Sequence, residues 1–225
     1  MAPQNKNKIS DHVVSKQRVS DYGEVMTGER EVDAMLDLVK AETRRIDSRF
    51  LEPACGTGNF LSSILERKLE VVEKKYKRSQ IEYERYSLLA LSSIYGIEIL
   101  PDNVKMCRNR LLGIFTRLYT KNYKKKIKSE FLKAAEFIVK RNILWGDALT
   151  LKTPDEKAEP IIFSEWTRPF NDSRVKRRDF YFNELTPKET QDLFSKPIVS
   201  DTGTTGFIPE SFKDYPLTHF LKIVQ

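Results

Sequence analysis

The sequence is poor in the residues that build disulfide frameworks and zinc sites. Its 225 residues include two cysteines, Cys55 and Cys107, and two histidines. Two cysteines cannot form a disulfide framework, and so little Cys and His also argues against a structural zinc site. We therefore expect no bound metal. Sparse, unpatterned cysteines favour a reducing compartment, so we expect a cytoplasmic protein.

Long apolar runs are also absent from the sequence. No stretch approaches the roughly 18 to 20 apolar residues that a membrane-spanning helix needs. The first twelve residues lack the apolar core of a secretory signal. The chain is long enough for one well-buried domain and too short for several. We therefore expect a globular protein with no membrane partner.

Positive charge is concentrated in one part of the chain. The formal net charge is +7, yet Lys105 to Arg141 contains twelve Lys or Arg residues and only two acids. This segment is either a solvated helix face or a surface that contacts nucleic-acid phosphates. On the second interpretation, the candidate contacts are Lys124, Lys125 and Lys126, together with Arg177 from a second, smaller basic cluster.

The spacing of apolar residues predicts helices that alternate with short strands. Helices are expected at 28–39, about 59–91, 103–118 and 131–139, and strands at 49–53, 93–99, 142–146 and 160–164. This alternation is typical of an α/β fold with a mostly parallel sheet. We predict a flexible segment at 1–20, a ligand-binding domain at 21–185 and an irregular tail at 186–225, in which 201–206 is a loop.

The most informative stretch joins the first predicted strand to the next helix. It reads Glu-Pro-Ala-Cys-Gly-Thr-Gly-Asn-Phe from Glu52 to Phe60, and Asn59 is suited to cap the helix. Gly56 and Gly58 allow the backbone to approach a ligand, and the helix N-terminus offers unpaired N–H groups. No Gly-Lys-Ser/Thr follows, and a third glycine is missing, so this is neither a phosphate loop nor a dinucleotide fingerprint.

Acidic residues lie at the ends of the next two predicted strands. Glu98 follows Tyr-Gly-Ile, and Asp147 follows Leu-Trp-Gly. An acid at the tip of the second strand can accept hydrogen bonds from ribose hydroxyls, while Ile99 can pack on an adenine face. Asp147 can accept from an exocyclic amine. Either acid alone is more often a surface residue, but three motifs at three successive strand ends favour a nucleotide-like ligand.

Together these motifs resemble the gamma-order N6-adenine DNA methyltransferases of restriction–modification systems, in which the cofactor motifs precede the catalytic one. The likeness covers roughly residues 20 to 165 and includes 23–28, which is similar to the N-terminal motif that closes over the cofactor. Met26 and Gly28 depart from that motif's usual aromatic and proline. The resemblance implies a Rossmann-like fold that binds S-adenosylmethionine. The residues that it assigns to the cofactor are Thr27, Glu52, Ala54, Gly56, Gly58, Glu98, Ile99 and Asp147.

The resemblance also implies a catalytic motif that the sequence does not contain. That motif is Asn or Asp, two prolines and an aromatic at the end of the fourth strand, where it aligns and stacks on a flipped-out adenine. No Pro-Pro occurs in the 225 residues. By spacing, the position of the motif falls on 164–167, which leaves Glu165 and Trp166 as catalytic candidates. The alternative is that these residues begin an ordinary hairpin that continues through 175–182.

Too few residues follow the fourth predicted strand to complete the sheet and also to read DNA specifically. We therefore expect an incomplete or truncated methyltransferase fold, and three functions stay open. The first is the cofactor-binding part of a split DNA adenine methyltransferase, with DNA and a second protein chain as partners. That second chain would supply the catalytic motif and target recognition. The second function is a non-catalytic assembly or regulatory subunit, and the third is a methyltransferase acting on RNA or a small molecule.

Overall fold

A computed structural model of the chain describes residues 16–22, 24, 27–185, 198–199, 205–206 and 209–224. The α-helices are α1 (Lys16–Tyr22), α2 (Glu29–Leu38), α3 (Lys40–Arg44), α4 (Asn59–Tyr76), α5 (Gln80–Ser92), α6 (Pro101–Tyr123) and α7 (Ser129–Asn142). The strands are β1 (Phe50–Glu52), β2 (Ile94–Glu98), β3 (Ile143–Trp145), β4 (Ile162–Thr167), β5 (Arg174–Tyr181), β6 (Ile198–Val199), β7 (Thr205–Gly206), β8 (Lys213–Asp214) and β9 (Thr218–His219). The fold is mixed α/β.

The first three strands form a parallel sheet in the order β1-β2-β3. In the register of the sheet, Leu51 lies opposite Tyr95, and Ile97 lies opposite Leu144. The predicted strands at 49–53, 93–99 and 142–146 are thereby confirmed. Because the three strands are parallel, their carboxyl ends meet at one edge of the sheet.

Long helices cover one face of this sheet and form the main apolar core. Gly96 faces α4, since a Cβ built on it would lie 2.9 Å from the Leu61 side chain. Phe115 of α6 and Phe131 of α7 are buried in the same core as Leu61. Cys107 is fully buried there, as expected of a packing residue. None of the helices in the described part of the chain is long and apolar enough to cross a membrane.

The fourth predicted strand does not join the parallel sheet. β4 pairs antiparallel with β5, so the expectation of a fourth parallel strand is wrong, and the alternative of a hairpin is confirmed. The hairpin packs on the second face of the sheet, where the rings of Phe163 and Tyr95 meet edge-on with centroids 5.6 Å apart. Ile161, Ile97 and Phe182 complete this smaller core.

β4 runs in the opposite direction to the strands that it covers. Just before β4, Ile161 packs against Gly146, which follows the carboxyl end of β3. Near the other end of β4, the Nε1–H of Trp166 donates to Oδ1 of Asn142 at 2.9 Å, and Asn142 immediately precedes β3. Residues 164–167 therefore lie towards the amino ends of the parallel strands.

Two helix boundaries differ from their predictions because of the residues at the N-cap positions of α4 and α5. The helix expected at about 59–91 is two helices, since Ser79 caps α5 by accepting from the N–H of Glu82 at 3.5 Å. Gly58, rather than Asn59, occupies the N-cap position of α4. The Asn59 side-chain amide instead donates to the Thr27 carbonyl at 2.8 Å.

Residues on both sides of the predicted domain at 21–185 also form helices or strands. In the segment expected to be flexible, 16–20 belong to α1, and 1–15 lie outside the described residues. In the predicted tail, β8 and β9 each pair with β5, and Phe220 is buried in the main core. Of the predicted loop at 201–206, the last two residues form β7, and the others lie outside the described residues.

Candidate cofactor site

A pocket of about 710 Å³ opens at the carboxyl edge of the parallel sheet. This volume suits a nucleotide-sized ligand. Its walls are the loops after β1, β2 and β3 and the residues before α2. The residues that the sequence assigned to the cofactor and that line this pocket are Thr27, Glu52, Ala54, Gly56, Glu98, Ile99 and Asp147. A larger groove of about 930 Å³ lies at the amino edge of the sheet, away from these loops.

The loop after β1 owes its shape to two glycines. Gly56 and Gly58 have φ angles of +50° and +86°, in the left-handed region that favours glycine. A Cβ on Gly58 would lie 2.6 Å from the Sγ of Cys107. Gly58 does not line the pocket, and its role in the structure is to turn the chain from β1 into α4.

Glu98 ties the end of β2 to this loop. Its Oε2 accepts from the N–H of Gly56 at 2.7 Å, and its Oε1 accepts from the N–H of Leu100 at 2.9 Å. The residue is 7% exposed. An ionised carboxylate offers about four lone-pair sites, so further sites remain for donors on a ligand.

Asp147 organises the turn after β3. Its Oδ1 accepts from the N–H of Leu149 at 2.8 Å, and its Oδ2 accepts from the hydroxyl of Thr150 at 3.0 Å. The hydrogen bond from Leu149 is the main reason why the pKa of Asp147 lies below its ordinary value. The side chain is therefore an ionised acceptor at neutral pH.

Glu52 brings a third carboxylate to the pocket at the end of β1. Burial raises its pKa, and a hydrogen bond from the backbone of Ala54 lowers it by less. A positively charged group beside Glu52 would stabilise the ionised form and reverse this shift.

The N-terminal segment lies beside the same pocket and is held by α6. Glu24 accepts from the Nδ2 of Asn103 at 2.6 Å and pairs with Arg18. Arg18 also pairs with Asp102 at 2.7 Å. Of the predicted N-terminal motif at 23–28, residues 23, 25 and 26 lie outside the described residues.

Five polar residues that line the pocket were given no cofactor role by sequence reasoning. They are Asp21, Glu24, Thr57, Asn59 and Asn103. Asn103 lies in the first turn of α6, which begins at Pro101 rather than at the predicted position 103. Proline is favoured at the first position of a helix, and this signal identifies the earlier start.

Glu165 and Trp166 lie at the opposite edge of the sheet. Glu165 pairs at 2.7 Å with Arg49, which immediately precedes β1, while Trp166 is buried against Asn142. The five residues of β2 separate the two edges by about 16 Å. The structure therefore places both catalytic candidates away from the pocket at the carboxyl edge.

The predicted nucleic-acid contacts divide into buried and exposed residues. Arg177 is 8% exposed, donates to Asp179 at 2.8 Å and stacks 3.9 Å from the ring of Tyr215. A phosphate contact would have to break this pair, so the structure argues against Arg177. Lys124 to Lys126 are exposed in a 3₁₀ turn after α6. The 23 residues of α6 separate them from the pocket by about 35 Å.

The family comparison agrees with the position of this site. The family described as "MmeI, DNA-methyltransferase domain" matches residues 27–158, which is more than half of the chain. The matched region runs from Thr27 past Asp147 and so contains every predicted cofactor residue. No curated protein and no solved structure gives a match. The chain therefore belongs to the MmeI DNA-methyltransferase domain family, a family of restriction–modification methyltransferases.

Proposed function

We propose that the chain is the S-adenosylmethionine-binding part of a DNA adenine-N6 methyltransferase with a Rossmann-like fold. The observation that carries this proposal is the convergence of three strand ends on one pocket. Glu52 ends β1 and Gly56 follows it, Glu98 ends β2, and Asp147 follows β3. Open α/β sheets bind nucleotide-like ligands at the carboxyl ends of their strands, and methyltransferase domains in general use an S-adenosylmethionine-type cofactor.

The donors and acceptors of the pocket fit this cofactor. The remaining lone pairs of Glu98 suit ribose hydroxyls, Ile99 offers an apolar surface for adenine, and ionised Asp147 suits the exocyclic amine of adenine. Glu52 and Glu24 supply negative charge for the cationic methionine end. When bound, the cofactor supplies the activated methyl group, and these residues hold and orient it.

Methyl transfer to adenine needs groups beyond those in the pocket. The target base must leave the duplex, and its amino nitrogen must be aligned with the methyl group. The 225 residues contain no Pro-Pro, and Glu165 and Trp166 are engaged at the far edge of the sheet. We therefore infer that a second polypeptide supplies the catalytic motif and the recognition of the DNA target.

Calorimetric titration with S-adenosylmethionine tests the cofactor assignment. We expect micromolar binding by the chain and loss of that binding in Asp147→Ala. Asp155→Ala is the matched control, because Asp155 lies in an exposed loop outside the pocket. A folded chain that does not bind the cofactor, or equal losses in the two variants, would contradict the assignment.

The second candidate function is a non-catalytic subunit that acts in assembly or regulation. Glu165 and Trp166 are engaged in structural contacts, and this observation favours a non-catalytic subunit as much as a split enzyme. Transfer of a labelled methyl group to adenine in DNA separates the two functions. In this assay the chain is mixed with a second protein, encoded by a neighbouring gene, whose sequence contains the Asn-Pro-Pro-aromatic motif. Transfer that needs both polypeptides and is lost in Asp147→Ala supports the split enzyme.

A further inference from the structure

A buried carboxylate lies beneath the basic turn formed by Lys124–Lys126. Glu84 of α5 is 0% exposed. Its Oε1 accepts from the Tyr119 hydroxyl at 2.7 Å and from the Nε2 of Gln80 at 2.9 Å, and its Oε2 accepts from the Nζ of Lys128 at 2.7 Å. A buried charge is tolerated only when it is paired and hydrogen-bonded, and Glu84 meets this condition through donors that border the turn. The four residues that form this Glu84 network are Gln80, Glu84, Tyr119 and Lys128.

The same side chains also bind the backbone of the turn. The Nε2 of Gln80 donates to the carbonyl of Lys126 at 2.6 Å, and the Tyr119 hydroxyl accepts from the N–H of Lys128 at 3.3 Å. Gln80 and Tyr119 are joined to each other by a hydrogen bond of 2.9 Å. Because Glu84 accepts from both side chains, this carboxylate orients the two groups that hold the backbone at 126 and 128.

The backbone of the turn is held in a strained conformation. Lys124 has a φ angle of +35°, in the region that favours glycine. Such a conformation persists only where surrounding contacts over-determine the backbone, and strained residues of this kind concentrate at binding sites and ligand clamps. The hydrogen bonds from Gln80 and Tyr119 supply this restraint. The position of the Lys124 side chain therefore depends on the Glu84 network.

The three lysines of the turn are exposed and form no ion pair with any residue that the structure describes. Other lysines of the adjoining helices are paired, since Lys121 lies 3.3 Å from Glu73 and Lys140 lies 2.7 Å from Glu136. Three adjacent unpaired ammonium groups on a fixed backbone create a concentrated positive potential. Nucleic-acid phosphates are attracted by such a potential, and membership of a DNA-methyltransferase family favours DNA as their source.

We propose that Glu84 is a positioning residue for a DNA contact at the basic turn. Through Gln80 and Tyr119 it holds the backbone so that the ammonium groups of Lys124–Lys126 meet the phosphates of a duplex together. The inference rests on the proposed function for the identity of the ligand. It goes beyond that function because the turn lies about 35 Å from the cofactor pocket along α6. The contact therefore strengthens the binding of DNA without touching the transferred methyl group.

A variant that keeps every charge tests the positioning role. Gln80→Ala removes the donor to the Lys126 carbonyl and leaves the lysines and Glu84 in place. Fluorescence anisotropy measures the binding of a labelled DNA duplex of about 20 base pairs, or two helical turns. The loss of this hydrogen bond should weaken DNA binding about fivefold. Asn109→Ala is the matched control, because it removes a side-chain amide from an exposed position on α6 and should leave DNA binding unchanged.

The salt dependence of binding distinguishes positioning from loss of the fold. If the lysines no longer meet the phosphates together, the slope of log K against log salt should fall by about 0.9 for each lost contact. The net charge of Gln80→Ala is the same as that of the wild type. A partly unfolded sample would instead bind less DNA at every salt concentration with the same slope. Tyr119→Phe keeps the ring and removes the hydroxyl, so it should reproduce the change in slope.

The proposal is overturned if Gln80→Ala and Tyr119→Phe leave the affinity or the slope unchanged, or if Asn109→Ala causes an equal loss. A competition experiment tests the identity of the ligand. If polyglutamate displaces the labelled duplex as readily as unlabelled DNA of equal charge, the turn is a site for acidic protein, and the proposed DNA contact is overturned.

Titration with S-adenosylmethionine on the same samples separates this inference from the proposed function. Gln80→Ala should keep the wild-type affinity for the cofactor, because Gln80 contacts the end of α6 that is remote from the pocket. If DNA binding depends on Gln80 in a chain that does not bind the cofactor, the proposed function fails while the positioning role stands. If the chain binds the cofactor but no DNA, the positioning role is overturned while the cofactor assignment stands.

Discussion

A hydrogen bond of 2.7 Å joins the Oε2 of Glu98 to the backbone N–H of Gly56. It links the end of β2 to the loop after β1, so one carboxylate shapes the pocket and also faces it. Removal of this side chain therefore has two separable consequences, the loss of acceptors for a ligand and the loosening of the loop.

Glu98→Ala should weaken the binding of S-adenosylmethionine by about 1 to 3 kcal/mol, because charge-assisted hydrogen bonds are lost. Glu98→Gln retains an acceptor oxygen and the side-chain shape, so this variant should lose less affinity for S-adenosylmethionine than Glu98→Ala. Calorimetric titration measures both affinities, and thermal unfolding of the same variants reports the loosening of the loop. An affinity unchanged by Glu98→Ala would remove Glu98 from the cofactor site.

Gly58→Ala should destabilise the domain by about 1 to 3 kcal/mol, because it puts a side chain at positive φ and against Cys107. Gly113→Ala is the matched control. Gly113 lies within α6 with open space around it, so alanine there should stabilise by about 0.5 to 1 kcal/mol. Urea denaturation measures both changes, and equal effects of the two substitutions would contradict the strained turn.

The parts of the site that were predictable from the sequence are those encoded locally. Glu98 ends one short apolar strand, and Asp147 and Gly56 each follow another, so each motif could be placed at a strand end without tertiary information. Parallel pairing then brings the three ends together in one pocket. The suspected methyltransferase family followed from this order of motifs and is confirmed by the family match.

The features that could not be predicted are decided by distant contacts. Ile161 to Ser164 is as short and apolar as a parallel strand, and only the packing of Phe163 on Tyr95 and of Trp166 on Asn142 sets the direction of β4. Arg177 lies in a basic cluster of the sequence. Its burial depends on contacts with Asp179 and Tyr215, and no local pattern signals these contacts.

The binding of S-adenosylmethionine should weaken as the pH falls through the raised pKa of Glu52. The ionised carboxylate attracts the cationic end of the cofactor, and protonation removes that attraction. Because burial raises the pKa, the loss should begin at a higher pH than for an exposed glutamate. Titrations between about pH 5 and pH 7 should show the affinity for S-adenosylmethionine falling with pH in the wild type and falling less in Glu52→Gln. If the affinity of the two proteins falls equally with pH, another group causes the dependence.

The stability of the domain should rise between about pH 7 and pH 10 through Lys68. Its Nζ donates to the hydroxyl of Ser93 at 2.5 Å and to the carbonyl of Ser48, and burial lowers its pKa from 10.5 to about 7. The unfolded chain therefore binds this proton more strongly than the folded chain across that range, and raising the pH removes the difference. Urea unfolding at several pH values measures the rise. A Lys68→Met variant with the same rise as the wild type would show that other groups cause it.

DNA binding by the chain should be salt-dependent and should fall when Lys124, Lys125 and Lys126 are changed together to Gln. Each lost phosphate contact should reduce the slope of log K against log salt by about 0.9. The control changes Arg30, Lys40 and Arg44 to Gln, which removes the same charge from exposed positions on α2 and α3. Equal losses in both triple variants would mean that binding follows net charge alone, and no loss in either would make the basic turn a solvated face.

Because the turn lies about 35 Å from the pocket along α6, the lysine variant should keep its affinity for S-adenosylmethionine. A selective loss of DNA binding would then place a phosphate contact at this turn.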